Sequence, residues 1–302
     1  MTDAVTQERP WLTNVAYRLL GSLAEAEDAV QEALARWYAL TPERRAAITS
    51  ARAWLTTVTS RICLDVLGSA RARRERYVGA WIPEPLPDVS RVPGRRAGST
   101  DPADLIVLDE SVDMAFLVVL EALTPAERVA FVLHDVFQYS FNEVAAIVER
   151  SPAACRQLAS SGRRRVRAVR SAPVPNAEQA RIIREFKLAW EQQDIPALVG
   201  LLDPGAVMIA DGGGLVGATL RPVEGAAQIA RYIADISVRA PGMELRVRSV
   251  NGRAGLVALR GELTVNVAAF EVADGRITRI WGVRNPEKLR AWNEWLGAEQ
   301  GE

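Results

Sequence analysis

The apolar residues of this chain change their spacing near residue 176, and that change limits the folds open to it. Up to residue 170 they recur at helical intervals, as in residues 11–19. Beyond residue 176, one helical stretch gives way to short alternating segments with NG (251–252) and DG (274–275) turn pairs. We therefore predict a multidomain protein, all-α first and α+β last, whose last part has a curved antiparallel sheet against helices.

Two proline-containing breaks suggest where the domains end. Residues 78–104 include five prolines and are expected to form a linker, and residues 171–179 (SAPVPNAEQ) form a second break. The predicted domains are residues 1–77, 105–171 and 176–298, with the linker at 78–104 between the first two. Helix is expected to resume at 103–123.

The third domain is expected to open with one long helix. That helix covers residues 177–202, and the apolar segments 206–214 and 215–219 that follow are strand-like.

The basic residues are concentrated although the net charge is zero. Of 37 basic residues only Lys187 and Lys288 are lysines, and arginines crowd into residues 71–77 and 156–170. Separate basic stretches in a neutral chain indicate two nucleic-acid contact surfaces. Solvated helix faces are the alternative.

A helix-turn-helix is predicted at the end of the second domain. A short helix (SFNEVAAIV) precedes a turn and a longer basic helix that begins near Ser151. Arg156 and Gln157 are suited to base edges, and Ser160 is included with them as a DNA contact. Basic side chains further along are suited to phosphates, namely Arg163, Arg164, Arg165 and Arg167.

The order and spacing of these segments resemble a known family. AEDAVQEALARWYAL, ARAWLTTVTSRICLDVLGSARAR and LTPAERVAFVLHDVFQYSFNEVAAIVERSPAACRQLASSGRRRVR closely resemble regions 2 and 4 of extracytoplasmic-function sigma factors, over residues 8–170. The resemblance implies RNA polymerase core and promoter DNA as partners, with residues 151–167 on the −35 element. The family usually has Asn where this chain has Arg61.

The resemblance also assigns residues to each partner. It places one helix face on the β′ clamp helices of polymerase, with the β flap as a second polymerase contact: Asp28, Gln31, Glu32 and Arg36. It places a basic helix end on the −10 element: Arg61, Arg71, Arg73, Arg74 and Arg76. For Asp28 and Glu32 the alternative is an ordinary charged helix face, and Arg61 could instead pair with Asp65.

The C-terminal domain resembles SnoaL-like domains, cones of the nuclear-transport-factor-2 type. Three segments match signatures of sigma factors with a fused SnoaL-like extension, usually WLPEP, DGGGK and NPDKL. Here they are WIPEP (Trp81, Pro83, Glu84, Pro85), DGGG (Asp211, Gly212, Gly213, Gly214) and NPEKL (Asn285, Pro286, Lys288, Leu289). Leu215 replaces the usual lysine. The resemblance implies that the cone packs near the 78–104 linker as an intramolecular partner and controls activity in cis.

Other function classes fit the residues less well. DGGG lacks the Lys and Ser/Thr of a phosphate-binding loop and suggests a tight turn. The only histidine, His134, lies in the second domain, so we expect no catalytic residues, cofactor or metal. A small ligand in the cone, or a residual cyclase- or isomerase-like activity, stays open as an alternative. No membrane span or signal peptide is apparent, and a cytoplasmic location is expected.

Overall fold

The computed structural model describes residues 5–74, 77–87, 112–169 and 174–300. The chain divides into two compact units. One comprises residues 1–75, 95–107 and 116–170, and the other residues 76–94, 108–115 and 171–302. Residues 78–87, expected to be linker, and Tyr77, expected in the first domain, thus belong to the same unit as the C-terminal domain.

Residues 5–74 and 112–169 are mainly helical, as the apolar spacing predicts. Their α-helices are α1 (Arg9–Leu20), α2 (Leu23–Tyr38), α3 (Pro42–Ala46), α4 (Ala51–Arg74), α5 (Met114–Leu120), α6 (Pro125–Phe131), α7 (Phe141–Val148) and α8 (Pro152–Val169). A π-helical turn, Val132–Val136, continues α6. Of the helix expected at 103–123, residues 103–111 lie outside the described residues.

Side-chain caps fix where these helices begin. Thr124 and Ser140 each form a complete capping box, with Glu127 and Glu143 respectively, at the starts of α6 and α7. Glu149 adopts a left-handed φ of 56° and ends α7. The turn between α7 and α8 is therefore tight, as a helix-turn-helix requires.

The second unit is a six-stranded sheet packed against helices. Its elements are α9 (Asn176–Glu191), α10 (Ile195–Leu201), β1 (Leu202–Asp211), β2 (Val223–Glu224), α11 (Ala226–Arg239), β3 (Glu244–Val250), β4 (Arg253–Arg260), β5 (Leu263–Ala273), β6 (Arg276–Val283) and α12 (Arg290–Gln300). A 3₁₀ helix, Pro286–Leu289, precedes α12. The strand order is β2-β1-β6-β5-β4-β3. Its core includes Phe186, Trp190 and Phe270, in contact edge to face.

Two local predictions in this domain are wrong. The single helix expected over 177–202 is two helices, because Gln193 takes a left-handed φ of 54° and the Asp194 side chain accepts the Ala197 N–H at 2.9 Å, starting α10 anew. The strand expected at 215–219 is a loop, and its Leu215 is exposed.

The sheet is mixed rather than wholly antiparallel. β3 to β6 pair antiparallel through tight connections, but β1 runs parallel to β6. A parallel pair needs a long crossover, and the chain between β1 and β6 supplies one through α11 and four strands.

Candidate functional site

The four residues assigned to polymerase share one exposed face of α2. Asp28, Gln31, Glu32 and Arg36 are all exposed, and each lies three or four residues from another of the four. Glu32 and Arg36 form an i,i+4 ion pair. Residues at this spacing are neighbours on the surface of a helix, so the four side chains form one exposed patch of α2 that can contact a partner.

The front of α8 is open to solvent. Arg156, Gln157 and Ser160 are exposed, and the Arg156 guanidinium lies 5.5 Å from the centroid of the Phe141 ring. Arg164 and Arg167, further along the same helix, are exposed too. The side chains of all five residues are therefore accessible to a partner.

Two other arginines of α8 turn toward the protein. Arg163 donates to Asp135 at 2.6 and 2.8 Å, and Arg165 donates to the Ala122 carbonyl at 3.0 Å. In this conformation their guanidinium groups hold α8 against neighbouring segments of the protein. Both arginines were predicted to contact DNA phosphates instead.

Arg61 contacts the helix-turn-helix instead of Asp65. Its guanidinium donates to the Ala146 carbonyl at 2.7 Å and lies 3.4 Å from Glu149. The side chains of Arg71, Arg73 and Arg74, on α4, fall outside the described part of the structure, as does Arg76 altogether.

The three signature segments of the C-terminal unit meet around one buried carboxylate. Asp211 is 1% exposed. Its Oδ1 accepts the Tyr77 hydroxyl at 2.6 Å and the Gly213 N–H at 3.0 Å. Its Oδ2 accepts the Ile82 N–H at 3.0 Å and the Lys288 ammonium at 2.7 Å. Residues 77–87, here named the strap, are thus tied to the sheet and to the segment before α12.

Lys288 is the cation of this cluster. Besides Asp211, its Nζ donates to the Ile82 carbonyl and lies 4.1 Å from the centroid of the Trp81 ring. Leu215, which follows the DGGG segment, is exposed, and the buried charge of Asp211 is paired with Lys288 of the NPEKL segment. Glu84 is 6% exposed, and the prolines at 83 and 85 are buried with it.

The glycines after Asp211 allow close packing. A Cβ on Gly212 would lie 2.4 Å from the Val216 carbonyl oxygen, and one on Gly213 2.5 Å from Asn285 Nδ2. Gly213 also has a φ of 65°. The Asp211 carbonyl accepts the N–H groups of Arg284 and Asn285 at 2.7 and 3.0 Å, which closes the contact with NPEKL.

Three further contacts to the strap were not predicted. Trp292 Nε1 donates to the Pro85 carbonyl at 2.8 Å, and Tyr77 reaches Asp211 as described. Partial burial, together with the hydrogen bond to Asp211 and its charge, raises the pKa of the Tyr77 phenol above its usual value. Neither residue lies in a signature segment, so the motifs gave no signal for them.

Asn251, the third, holds both ends of the segment that joins the two helical regions. It is 1% exposed. Its side-chain oxygen accepts the Leu86 N–H at 2.9 Å, and its side-chain nitrogen donates to the Val112 carbonyl at 2.8 Å. The Asn251 N–H also donates to the Leu86 carbonyl at 2.9 Å. The sequence suggested only a hairpin turn at this NG pair.

His134 has a structural environment. Its Nδ1 is 2.8 Å from the Tyr139 carbonyl, and its ring stacks on Phe141 at 3.8 Å. Across the described ranges, no three His, Cys, Asp or Glu residues are grouped so that they could hold a metal ion. None of the helices in those ranges is both long and apolar enough to cross a bilayer.

Known proteins match both helical regions and more than nine tenths of the chain. The Sigma-70 region 2 family matches residues 4–74, and the Sigma-70 region 4 family matches residues 113–166. ECF RNA polymerase sigma factor SigJ of Mycobacterium tuberculosis is 39% identical over 296 residues, which cover 93% of this chain and 90% of that protein. Probable ECF RNA polymerase sigma factor SigI of the same organism is 34% identical over 300 residues, covering 96% and 94%.

A solved structure gives the same result. The crystal structure of M. tuberculosis extracytoplasmic function sigma factor SigJ matches with a TM-score of 0.74 and 34% identity, covering 94% of this chain and 96% of that one. The predicted order of folds is confirmed: all-α sigma regions 2 and 4 precede an α+β domain, for which we keep the name cone. On this identity and coverage, the chain belongs to the extracytoplasmic-function RNA polymerase sigma factors.

Proposed function

We propose that the cone controls in cis how this sigma factor brings RNA polymerase to promoters. Its family makes the chain a transcription initiation factor that acts with polymerase core on promoter DNA. The control acts on the connection between regions 2 and 4, and it includes no catalytic step.

The polymerase contact is assigned to α2 and to region 4. The exposed patch that includes Asp28 and Glu32 docks on the β′ clamp helices, and region 4 meets the β flap. The patch's exposure and mixed charge support this assignment.

The DNA contacts are assigned to the ends of two helices. Arg156, Gln157 and Ser160 contact base edges of the −35 element, while Arg164 and Arg167 contact phosphates. Arg163 and Arg165 join them only if their internal hydrogen bonds open. The basic end of α4 contacts the −10 element, and Arg61 must leave Ala146 and Glu149 to take part.

The main support for control in cis is that the Asn251 side chain is hydrogen-bonded to both Leu86 and Val112. Fully extended, the chain from residue 74 to residue 113 could span about 130 Å, at about 3.3 Å per residue. Because Leu86 and Val112 are both hydrogen-bonded to the Asn251 side chain, residues 74 and 113 can be at most about 50 Å apart. The cone thereby limits how far regions 2 and 4 can separate on a promoter.

The non-catalytic interpretation has separate support. Among the described residues that line the cone's cavity there is no carboxylate, histidine or cysteine. These are the groups that acid–base and nucleophilic catalysis most often use. The carboxylate of Asp211, which is 1% exposed, already accepts hydrogen bonds from the strap and from Lys288.

Transcription in vitro with core polymerase tests the proposal. Full-length protein is compared with chains ending at residues 175 and 284, each at equal polymerase occupancy measured by a binding assay. The shorter chains lack the cone, or the NPEKL segment and α12, and we expect both to change promoter output per bound polymerase. Unchanged output from both would reject control by the cone.

A further inference from the structure

A large cavity lies inside the cone. Its volume is about 700 Å³, and aromatic and aliphatic side chains form its inner wall: Phe186, Trp190, Met208, Ile233, Phe270 and Ile280. Small-molecule sites commonly measure about 300–1,000 Å³ and are mostly apolar. Leu263 lines it while being 57% exposed, so this side chain marks the opening.

The polar part of the wall carries one sign of charge. Arg239, Arg260 and Arg284 line the cavity, whereas none of its described lining residues is Asp or Glu. Arg239 donates to the Asp235 backbone carbonyl at 3.1 Å, and Arg284 donates to the Gly217 carbonyl. Carbonyl contacts leave both positive charges unneutralised, and Arg260 is exposed without an ion pair to any described residue.

Hydrogen-bonding groups inside the cavity also lack partners. Thr264 Oγ1 and Thr219 Oγ1 are buried and have no hydrogen bond within the described part of the chain. The Asn266 amide and the Tyr232 hydroxyl line the same space. Buried polar atoms are nearly always satisfied, so unsatisfied ones at a cavity wall indicate a ligand or water.

We propose that the cone binds a small amphipathic organic anion. Its apolar body lies against Phe186, Trp190 and Phe270, and its carboxylate or similar head group meets the arginines. Burial of the apolar body supplies the affinity, and charge-assisted hydrogen bonds from guanidinium groups select an anionic head over a neutral or cationic one.

One short segment, residues 285–289, contacts both the cavity and the strap. In the 3₁₀ helix before α12, Pro286 and Leu289 line the cavity, while the neighbouring Asn285 and Lys288 hold Tyr77 and Ile82. A ligand that shifts this helix shifts the hold on the strap. This coupling rests on the proposed cis control, whereas the binding site does not.

Calorimetric titration of the full-length protein tests the site. Decanoate, decanol and decylammonium serve as probes of matched length, each below its aggregation concentration. Decanoate is expected to bind at one site at least about tenfold more tightly than the other two, because of the arginine hydrogen bonds. Val265→Trp, which fills the cavity from β5, should abolish decanoate binding, and Arg260→Ala should weaken it. Arg276→Ala, at an exposed position outside the cavity, is the matched control and should bind normally.

Three outcomes would overturn the site: no saturable binding, equal binding of all three probes, or decanoate binding unaffected by Val265→Trp in a variant whose melting curve shows it folded. Transcription in vitro with saturating decanoate then tests the coupling. We expect promoter output to change for the full-length chain and not for Val265→Trp. Binding without any change in output would keep the site and reject the coupling.

Discussion

At the scale of single residues, Asp211 connects the three segments that the sequence motifs marked separately. Its carboxylate accepts two backbone N–H groups, one hydroxyl and one ammonium. A buried carboxylate is tolerated only when its charge is paired and its lone pairs are occupied. The strap and Lys288 meet that requirement together, so each depends on the other.

Removing the cation should therefore destabilise the C-terminal unit. In Lys288→Met the Asp211 charge stays buried without its partner, which should lower the free energy of unfolding by about 3–5 kcal/mol. Urea denaturation of the full-length protein measures this. The double variant Asp211→Asn/Lys288→Met removes both charges and should be less destabilised than the single one. A single variant as stable as the wild type would contradict the role given to the ion pair.

Tyr77 should make the stability of this unit fall in alkali. Because its pKa is raised in the folded protein, the folded state holds the phenol proton more strongly than the unfolded state does. Its contribution to stability is complete below the ordinary tyrosine pKa of about 10 and is lost as the pH rises above that value. Unfolding measured from about pH 8 to pH 11 should show a shallower fall for Tyr77→Phe than for the wild type. Parallel curves would contradict this assignment.

The sequence motifs predicted part of the group of residues around Asp211. The resemblance to SnoaL-linked sigma factors marked WIPEP, DGGG and NPEKL, and Asp211 and Lys288 lie within them. Tyr77, Asn251 and Trp292 went unmarked because a lone tyrosine, a hairpin asparagine and a helical tryptophan each have ordinary structural uses. Their roles depend on contacts between segments far apart in the chain, which local spacing does not encode.

At the scale of elements, local chemistry predicted most helices and failed where two signals competed. Apolar spacing and capping residues indicated α6, α7 and α8. The segment 177–202 keeps helical spacing throughout, yet Asp194 followed by Pro196 starts a new helix. The loop 215–219 is apolar like a strand, but the glycines before it turn the chain away from the sheet. The parallel pairing of β1 with β6 is a tertiary property that the turn pairs could not reveal.

We expect the residues at the start of the recognition helix α8 to contact base edges and those further along it to contact phosphates. Arg156→Ala and Gln157→Ala should each relax discrimination at one −35 position by about 1–3 kcal/mol. Arg164→Ala and Arg167→Ala should weaken all promoters alike and reduce the salt slope by about one. Holoenzyme binding to matched and mismatched promoters over a range of salt concentrations measures both. Sequence-selective losses from the second pair would contradict the division.

At the scale of the whole molecule, the proposed control by the cone works through the length of chain that is free between regions 2 and 4. The Asn251 side chain is hydrogen-bonded to both residue 86 and residue 112, which shortens the connection between regions 2 and 4. The sequence predicted the order of the domains, the family and the neighbourhood of linker and cone. It could not predict that one side chain closes the segment into a loop, since that follows from the hairpin's position in the folded sheet.

The most direct test of this account is transcription in vitro over a series of promoters that differ only in spacer length. Asn251→Gly removes both side-chain bonds and keeps a residue suited to the φ of 52° at that turn. Asp274→Gly, with a φ of 50° in the DG hairpin, is the matched control. Asn251→Gly should raise output from long spacers relative to the optimum by up to about 30-fold, since two hydrogen bonds of about 1 kcal/mol each are lost. The control should match the wild type. Identical spacer profiles for all three proteins would contradict the account.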